Sequence, residues 1–390
     1  MDISYILNEL AEDRDEYFRA VSPPIVQTSN FAFKKVDDLR KSFEDEYSTW
    51  LYSRGLNPTV EILRKKLAAL DGAEDCLVFN SGAAAIFAAV LANVKTGDHI
   101  VSVKDPYTWA RKMFDEILTR FQVTVTYIDG TSITNFEEAI QPNTTVIYLE
   151  SPNSWLFDLQ DLSAVAGLAR SKNIVTICDN SFCTPLFQKP YEMGIDLTLQ
   201  SATKYISGHS DVIAGVLSGG SKQITRIFNS EYNNIGSGIQ PFNAWLLIRG
   251  LRTLPARLER ITRTTHAVIT FLKSHPLVER VIFPLDPSFP QYELANRQMK
   301  GACGLLTFIL KTQSCEAIEI FCNGLKHILM AVSWGGHESL IIPKCAGMPR
   351  HQFNPALELH RSLRLYVGLE EPEYIISDLA QALDVIKDHS

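Results

Sequence analysis

Between residues 58 and 217 the sequence alternates short apolar runs with stretches of helical spacing, and this alternation limits the fold more than any other feature. The runs at 76–79, 99–103, 123–128, 146–149, 174–178, 195–199 and 212–217 are built mainly from valine, isoleucine and leucine. A strand with one face in water alternates apolar with polar residues, whereas a strand that is apolar throughout is covered on both sides. Residues 58–70, 108–120 and 159–171 have helical spacing, and Ser81-Gly82 opens a further helix of alanines with Ile86 and Phe87. Strands that alternate with helices in this way predict an α/β fold with a mostly parallel central sheet.

Near Gly250 the rhythm changes. A long charged helix over 253–273 is followed by strands at 281–283 and 304–310, a helix at 315–321, a strand at 363–367 and a last helix at 374–387. These elements predict a smaller C-terminal α+β domain. Residues 1–50 read as an arm, with a short amphipathic helix, the stretch Pro23-Pro24-Ile25-Val26 and a polar acidic segment. The expected division is an N-terminal arm at 1–55 that contacts a neighbouring subunit, a large domain at 56–250 and a small domain at 251–390, with the seam at 241–250. A chain of 390 residues has room for about two domains at roughly 100–200 residues each.

The net charge of −7 is spread without a long run of one sign. That excludes the basic face a nucleic acid requires. The longest apolar run, 83–92, is about half of a membrane span. The acidic N-terminus lacks the apolar core of a secretory signal. Seven cysteines, odd in number and never spaced as C-x-x-C, predict reduced thiols in a cytoplasm and no zinc site. The histidines show no metal-ligand spacing, so no metal is expected.

Open parallel sheets bind ligands at the carboxyl ends of their strands, and four polar signals fall at such ends. Asn80-Ser81-Gly82 lies between a strand and a helix start; it is a simple cap, or a helix N-terminus that receives phosphate. Tyr107 follows the 99–103 strand and is either core or a platform for a flat heteroaromatic ring. Asp179 follows the 174–178 strand; it caps the next segment or holds a proton on a ring nitrogen. Ser201, Thr203 and Lys204 follow the 195–199 strand. Alone, Lys204 reads as a loop lysine facing water, but an amine there can also form a Schiff base with an aldehyde. Together the four demand a flat ring with a basic nitrogen, a phosphate and an aldehyde, which describes pyridoxal 5′-phosphate.

Over nearly its whole length the chain also resembles the trans-sulfuration group of pyridoxal-phosphate enzymes of cysteine and methionine metabolism. The resemblance is carried by Tyr52-Ser53-Arg54 with Asn57-Pro58-Thr59, Ser81-Gly82-Ala83-Ala84-Ala85-Ile86, Glu150-Ser151-Pro152, Asp179-Asn180-Ser181-Phe182 and Ser201-Ala202-Thr203-Lys204-Tyr205. It continues in Arg249-Gly250-Leu251-Arg252, Ser333-Trp334-Gly335-Gly336-His337-Glu338 and Leu363-Arg364-Leu365-Tyr366. It implies the aspartate aminotransferase-like fold of fold type I. It also implies that Lys204 binds the cofactor and moves the Cα proton, that Asp179 holds the pyridinium and that Tyr107, the second catalytic residue, stacks on the ring and helps deprotonate the substrate amine. Ser201, Thr203 and the backbone at Gly82 and Ala83 would hold the phosphate. Tyr52 and Arg54 would reach the phosphate of a neighbouring subunit, within a homotetramer made of two active dimers. Arg364 would clamp the α-carboxylate of an amino-acid substrate with Ser333 beside it, and Asn153 or Ser154 would contact the ring hydroxyl.

Members of such a group differ in which carbon loses its substituent. Leu51 stands before Tyr52 where cystathionine γ-lyases tend to carry an acid. Ser333-Trp334-Gly335-Gly336 and Asn153-Ser154 resemble a subset of bacterial cystathionine β-lyases. The sequence reading is therefore a carbon–sulfur β-lyase that cleaves cystathionine or related cysteine S-conjugates to thiol, pyruvate and ammonia. The alternatives are cystathionine γ-synthase, cystathionine or methionine γ-lyase and O-acylhomoserine sulfhydrylase, and, more remotely, a non-catalytic cofactor-binding regulator.

Overall fold

The computed structural model describes residues 1–388. The chain forms two compact units. The first holds residues 1–153, 158–207 and 211–252; the second holds 154–157, 208–210 and the residues from 253 onward.

The first unit is built on a seven-stranded sheet of β1 (Asp75–Phe79), β2 (His99–Val103), β3 (Thr124–Ile128), β4 (Thr144–Glu150), β5 (Val175–Asp179), β6 (Leu197–Ser201) and β7 (Gly215–Gly219), in the order β1-β7-β6-β5-β4-β2-β3. The neighbours from β6 to β3 are parallel. β7 runs antiparallel to both β6 and β1, so β1 points the same way as the parallel strands. Successive side chains sort to opposite faces. Val146 and Tyr148 join Ile100 and Ile177 under the alanines of the helix Gly82–Leu91, while Ile147 and Leu149 join Val101 and Cys178 under the helix Leu162–Ser171. Both faces are thus buried, as the unbroken apolar runs require.

Local signals set the helix ends. Asn57 accepts from the Thr59 N–H, Pro58 begins the helix Pro58–Asp71, and Gly72 ends it at φ +70°. The segment read as one helix over 108–120 is α-helical at Thr108–Lys112, π-helical at Met113–Ile117 and 3₁₀ at Leu118–Phe121. The apolar spacing does not register this change, because Phe114 and Leu118 stay fully buried throughout.

The second unit carries a five-stranded sheet of β8 (Val278–Ile282), β9 (Leu305–Leu310), β10 (Leu329–Met330), β11 (Leu340–Pro343) and β12 (Ser362–Tyr366), in the order β10-β11-β12-β9-β8. It is antiparallel except between β10 and β11. The helix expected from residue 253 spans Pro241–Ser274. Pro241 is a helix start, a position proline tolerates. Gly250 is not a break: a Cβ there would lie 2.5 Å from the Ile206 carbonyl oxygen, so the helix needs glycine for this close approach. The boundary between the two units, after Arg252, falls inside this helix.

Among the described residues no helix is long and apolar enough to cross a membrane, and no group of histidine, cysteine and acidic side chains is set to hold a metal ion. The seven cysteines are free thiols.

Candidate active site

The topology of the first sheet brings the carboxyl ends of β1, β2, β4, β5 and β6 to one edge, and the four polar signals of the sequence follow those ends. At the β1 side, Phe79 and Ser201 both pair with Gly215, so the ends of β1 and β6 flank the start of β7. A Cβ at residue 215 would stand 2.2 Å from the Ser81 carbonyl oxygen. Only glycine there lets the turn after β1 settle beside Ser201. Ser81 caps the helix Gly82–Leu91 by accepting from the Ala84 N–H. Helix geometry leaves the Gly82 and Ala83 N–H groups without an acceptor in the helix, and a Cβ on Gly82 would touch the Ser201 side chain at 3.2 Å. The result is a helix N-terminus and a serine hydroxyl gathered at one point, with the positive end of the helix dipole facing it.

Asp179 ends β5 and is 8% exposed. Burial pushes its carboxyl above the usual carboxylate range, against the opposing pull of the Ser181 O–H and N–H and of the Lys204 ammonium. The Ser181 N–H donates to Asp179 Oδ1 at 2.9 Å, and Ser181 Oγ accepts the Ser201 N–H at 2.7 Å. Ser181 thus ties the acid at the end of β5 to the serine at the end of β6. The sequence reading quoted this residue but gave it no role. Tyr107 follows β2. Its N–H donates to Glu150 Oε2 at 2.6 Å, so the buried end of β4 fixes where the ring stands. Its phenol is held above its ordinary range by burial and then by the charges of Asp179 and Glu150. Thr203 Oγ1 exchanges hydrogen bonds with Ala214, accepting its N–H at 3.0 Å and donating to its carbonyl at 3.3 Å.

Two other expected groups belong to this unit, Tyr52 with Arg54 and, shortly after the end of β4, Asn153. Tyr52 and Arg54 are exposed, and the Arg54 guanidinium sits 5.5 Å from the Tyr52 ring. The N–H of Asn153 donates to the Asp158 carbonyl at 3.2 Å.

Arg364 lies on β12 in the second unit and is 9% exposed. Its Nη1 donates to the Ser154 carbonyl at 3.1 Å, and its guanidinium lies 5.2 Å from the Trp155 ring and 5.1 Å from the Trp334 ring. Ser333, which precedes Trp334, has φ +81°. Trp155 escaped the sequence reading, since no spacing links it to an arginine so far along the chain.

The donors of the first unit fit the expected cofactor: a buried acid for a ring nitrogen, an amine on the next strand end, and N–H and O–H groups for a phosphate. With its sheet, this set defines a fold type I pyridoxal-phosphate protein. Comparison with known proteins narrows the class. The profile of the Cys/Met metabolism PLP-dependent enzymes matches residues 6–384. The chain is 39% identical to the L-methionine gamma-lyase of Treponema denticola, over 94% of this chain and 93% of that protein. It is 35% identical to the cystathionine gamma-lyase of Bacillus subtilis, over 95% and 96%. The crystal structure of metB from Corynebacterium glutamicum is similar with a TM-score of 0.90 and 31% identity, covering 99% of this chain and 98% of that one. The chain belongs to the Cys/Met metabolism PLP-dependent enzyme family.

Proposed function

We propose that the protein is a carbon–sulfur lyase that eliminates the γ-substituent of a sulfur amino acid, methionine or cystathionine, to release a thiol, 2-oxobutyrate and ammonia. The observation that carries this reading is the pair of γ-lyase names on relatives that match more than nine-tenths of the chain. It displaces the β-lyase preference of the sequence reading.

Pyridoxal phosphate, when bound, withdraws electrons from the substrate Cα. We assign the remaining work to the chain as follows. Asp179 holds a proton on the ring nitrogen; burial strengthens that charge pairing. Lys204 would hold the cofactor in the resting enzyme, and its amine would take the proton from the substrate Cα, give it up, and then take a second from Cβ. Gly82, Ala83, Ser201 and Thr203 hold the phosphate. Tyr107 stacks on the ring; burial and then the charges of Asp179 and Glu150 hold its phenol above the ordinary range, which favours its proton-bearing form over a role as base for the substrate amine. Arg364 clamps the substrate carboxylate with its planar fork, with Ser333 next to it. Asn153 and Ser154 remain the two candidates for the ring hydroxyl. Tyr52 and Arg54, exposed in one chain, serve a neighbouring subunit's phosphate in a homotetramer of active dimers.

A β-lyase is the second reading, favoured by Asn153-Ser154, which resembles the bacterial β-lyase subset. Keto-acid analysis with methionine, cystathionine and cystine separates the two. 2-Oxobutyrate from methionine or cystathionine is expected. Pyruvate alone marks β-elimination, and transfer to an added thiol without keto acid marks a synthase. Borohydride reduction followed by peptide mapping is expected to leave the cofactor on Lys204; label on another lysine overturns that assignment.

A further inference from the structure

We propose that Trp155 and Trp334 are positioning residues that fix the guanidinium plane of Arg364 and thereby set the affinity for the substrate carboxylate. The proposal rests on the assignment of Arg364 as carboxylate clamp.

The arrangement grows from one face of β12. Side chains two apart on a strand share a face, so Ser362, Arg364 and Tyr366 project together. Thr307 of β9 is the cross-strand partner of Arg364. Ser362 Oγ accepts the Trp155 indole N–H at 2.9 Å, and Thr307 Oγ1 donates to the Trp155 carbonyl at 2.7 Å. Trp155 is therefore pinned at its backbone and at its ring tip, and its ring lies 5.2 Å from the Arg364 guanidinium. On the other side of Arg364 along the strand, the Tyr366 O–H donates to the Gly336 carbonyl at 2.7 Å. That bond anchors the turn that presents Trp334, whose ring lies 5.1 Å from the same guanidinium. Three residues of one strand face thus provide the cation and the fastenings of both rings.

Such a bracket has a physical use. An arginine in a nearly dry site attracts aromatic faces more strongly than an exposed one. With the Ser154 carbonyl occupying Nη1, the two rings restrict rotation of the fork, so less freedom is lost when a carboxylate binds bidentately. Lys344 adds a second cation, 4.4 Å from the Trp155 ring.

The test compares two probes on the holoenzyme by absorbance titration: L-norleucine, which carries a carboxylate and no leaving group, and n-pentylamine, the same chain without the carboxylate. Trp155→Ala is expected to weaken norleucine binding and raise the methionine KM about tenfold, while pentylamine affinity and kcat change less than about threefold. Trp155→Phe, which keeps a ring but not the N–H to Ser362, is expected to recover most of the loss. Equal weakening of both probes in Trp155→Ala would mean a general packing role and overturn the proposal. So would unchanged norleucine binding in Trp155→Ala when Arg364→Lys does weaken it. Norleucine binding that survives Arg364→Lys refutes the clamp itself, and the bracket with it.

Discussion

Asp71 gives the sharpest physical test of the sheet that carries the site. It ends the helix Pro58–Asp71 and is fully buried. Gln200 Nε2 donates to its Oδ1 at 2.7 Å, and Ser218 Oγ donates to its Oδ2 at 2.6 Å. These donors belong to β6 and β7, the strands that deliver Ser201 and Gly215. Burial raises the carboxyl from 3.8 to about 7, outweighing the two hydrogen bonds and the Lys189 charge, which lower it. Between those values the folded chain holds a proton that the unfolded chain has lost, so this group makes stability fall as pH rises. Integrated from pH 5 to pH 8, the loss is roughly 2 to 3 kcal/mol. Asp71→Asn keeps the shape, still accepts from Gln200 and cannot ionise. The variant is therefore expected to gain on the parent by that amount between pH 5 and pH 8, read as a difference in thermal midpoint that widens by several degrees. All other titrating groups are common to both proteins and cancel in the comparison. Midpoint curves that run parallel across the range, or converge toward pH 8, would refute the claim that Asp71 enters the alkaline range as a buried, reluctantly ionised acid.

Two further substitutions test other parts of the frame. Gly215→Ala forces a methyl against the Ser81 carbonyl; it is expected to cost about 1–3 kcal/mol as overpacking and to weaken cofactor retention in dialysis, whereas retention equal to the parent would show that the turn after β1 gives way freely. Lys66 is fully buried, donating to the carbonyls of Ile6 at 2.8 Å and Leu7 at 3.2 Å, and pairs with Glu12 at 3.1 Å. Lys66→Met leaves Glu12 with Arg14 and Arg252 and strips the Ile6 and Leu7 carbonyls of their donor; it is expected to cost about 3 kcal/mol, with faster hydrogen exchange confined first to residues 1–20; uniform acceleration over the first unit would contradict the role of this lysine as fastener of the N-terminal segment.

The parts of the fold that were legible are those whose physics is local or periodic. The strands of the first sheet and the capped helix after Asn57 announce themselves because burial on both faces and a proline-led start each leave a pattern in the order of residues. Asp179 and Lys204 were legible for a related reason: charged groups placed at the end of an apolar strand are conspicuous. The missing pieces depend on contacts distant in sequence. β10 and β11 are short and take their place from β12, so nothing in their own residues marks them. Gly250 was read as a break because its reason lies in the Ile206 carbonyl. Glu150 was seen as part of a motif, but its bond to the Tyr107 N–H is a property of two parallel strands lying side by side.

The preference for β-elimination is not confirmed, since the relatives named above are gamma-lyases. It leaned on Leu51, on Ser333-Trp334-Gly335-Gly336 and on Asn153-Ser154, yet Trp334 lies beside the guanidinium of Arg364. A residue that acts on the carboxylate clamp is indifferent to whether the bond broken next is at Cβ or at Cγ, since both chemistries bind the same carboxylate and start by moving the same Cα proton. The feature with a bearing on the leaving group is Leu51. An apolar side chain before Tyr52 gives no counter-charge to a distal ammonium, so of the two proposed substrates methionine is expected to be used with the higher kcat/KM, and cystathionine, with its second charged end, with the lower. That inference joins the likeness to a methionine gamma-lyase without using Trp334.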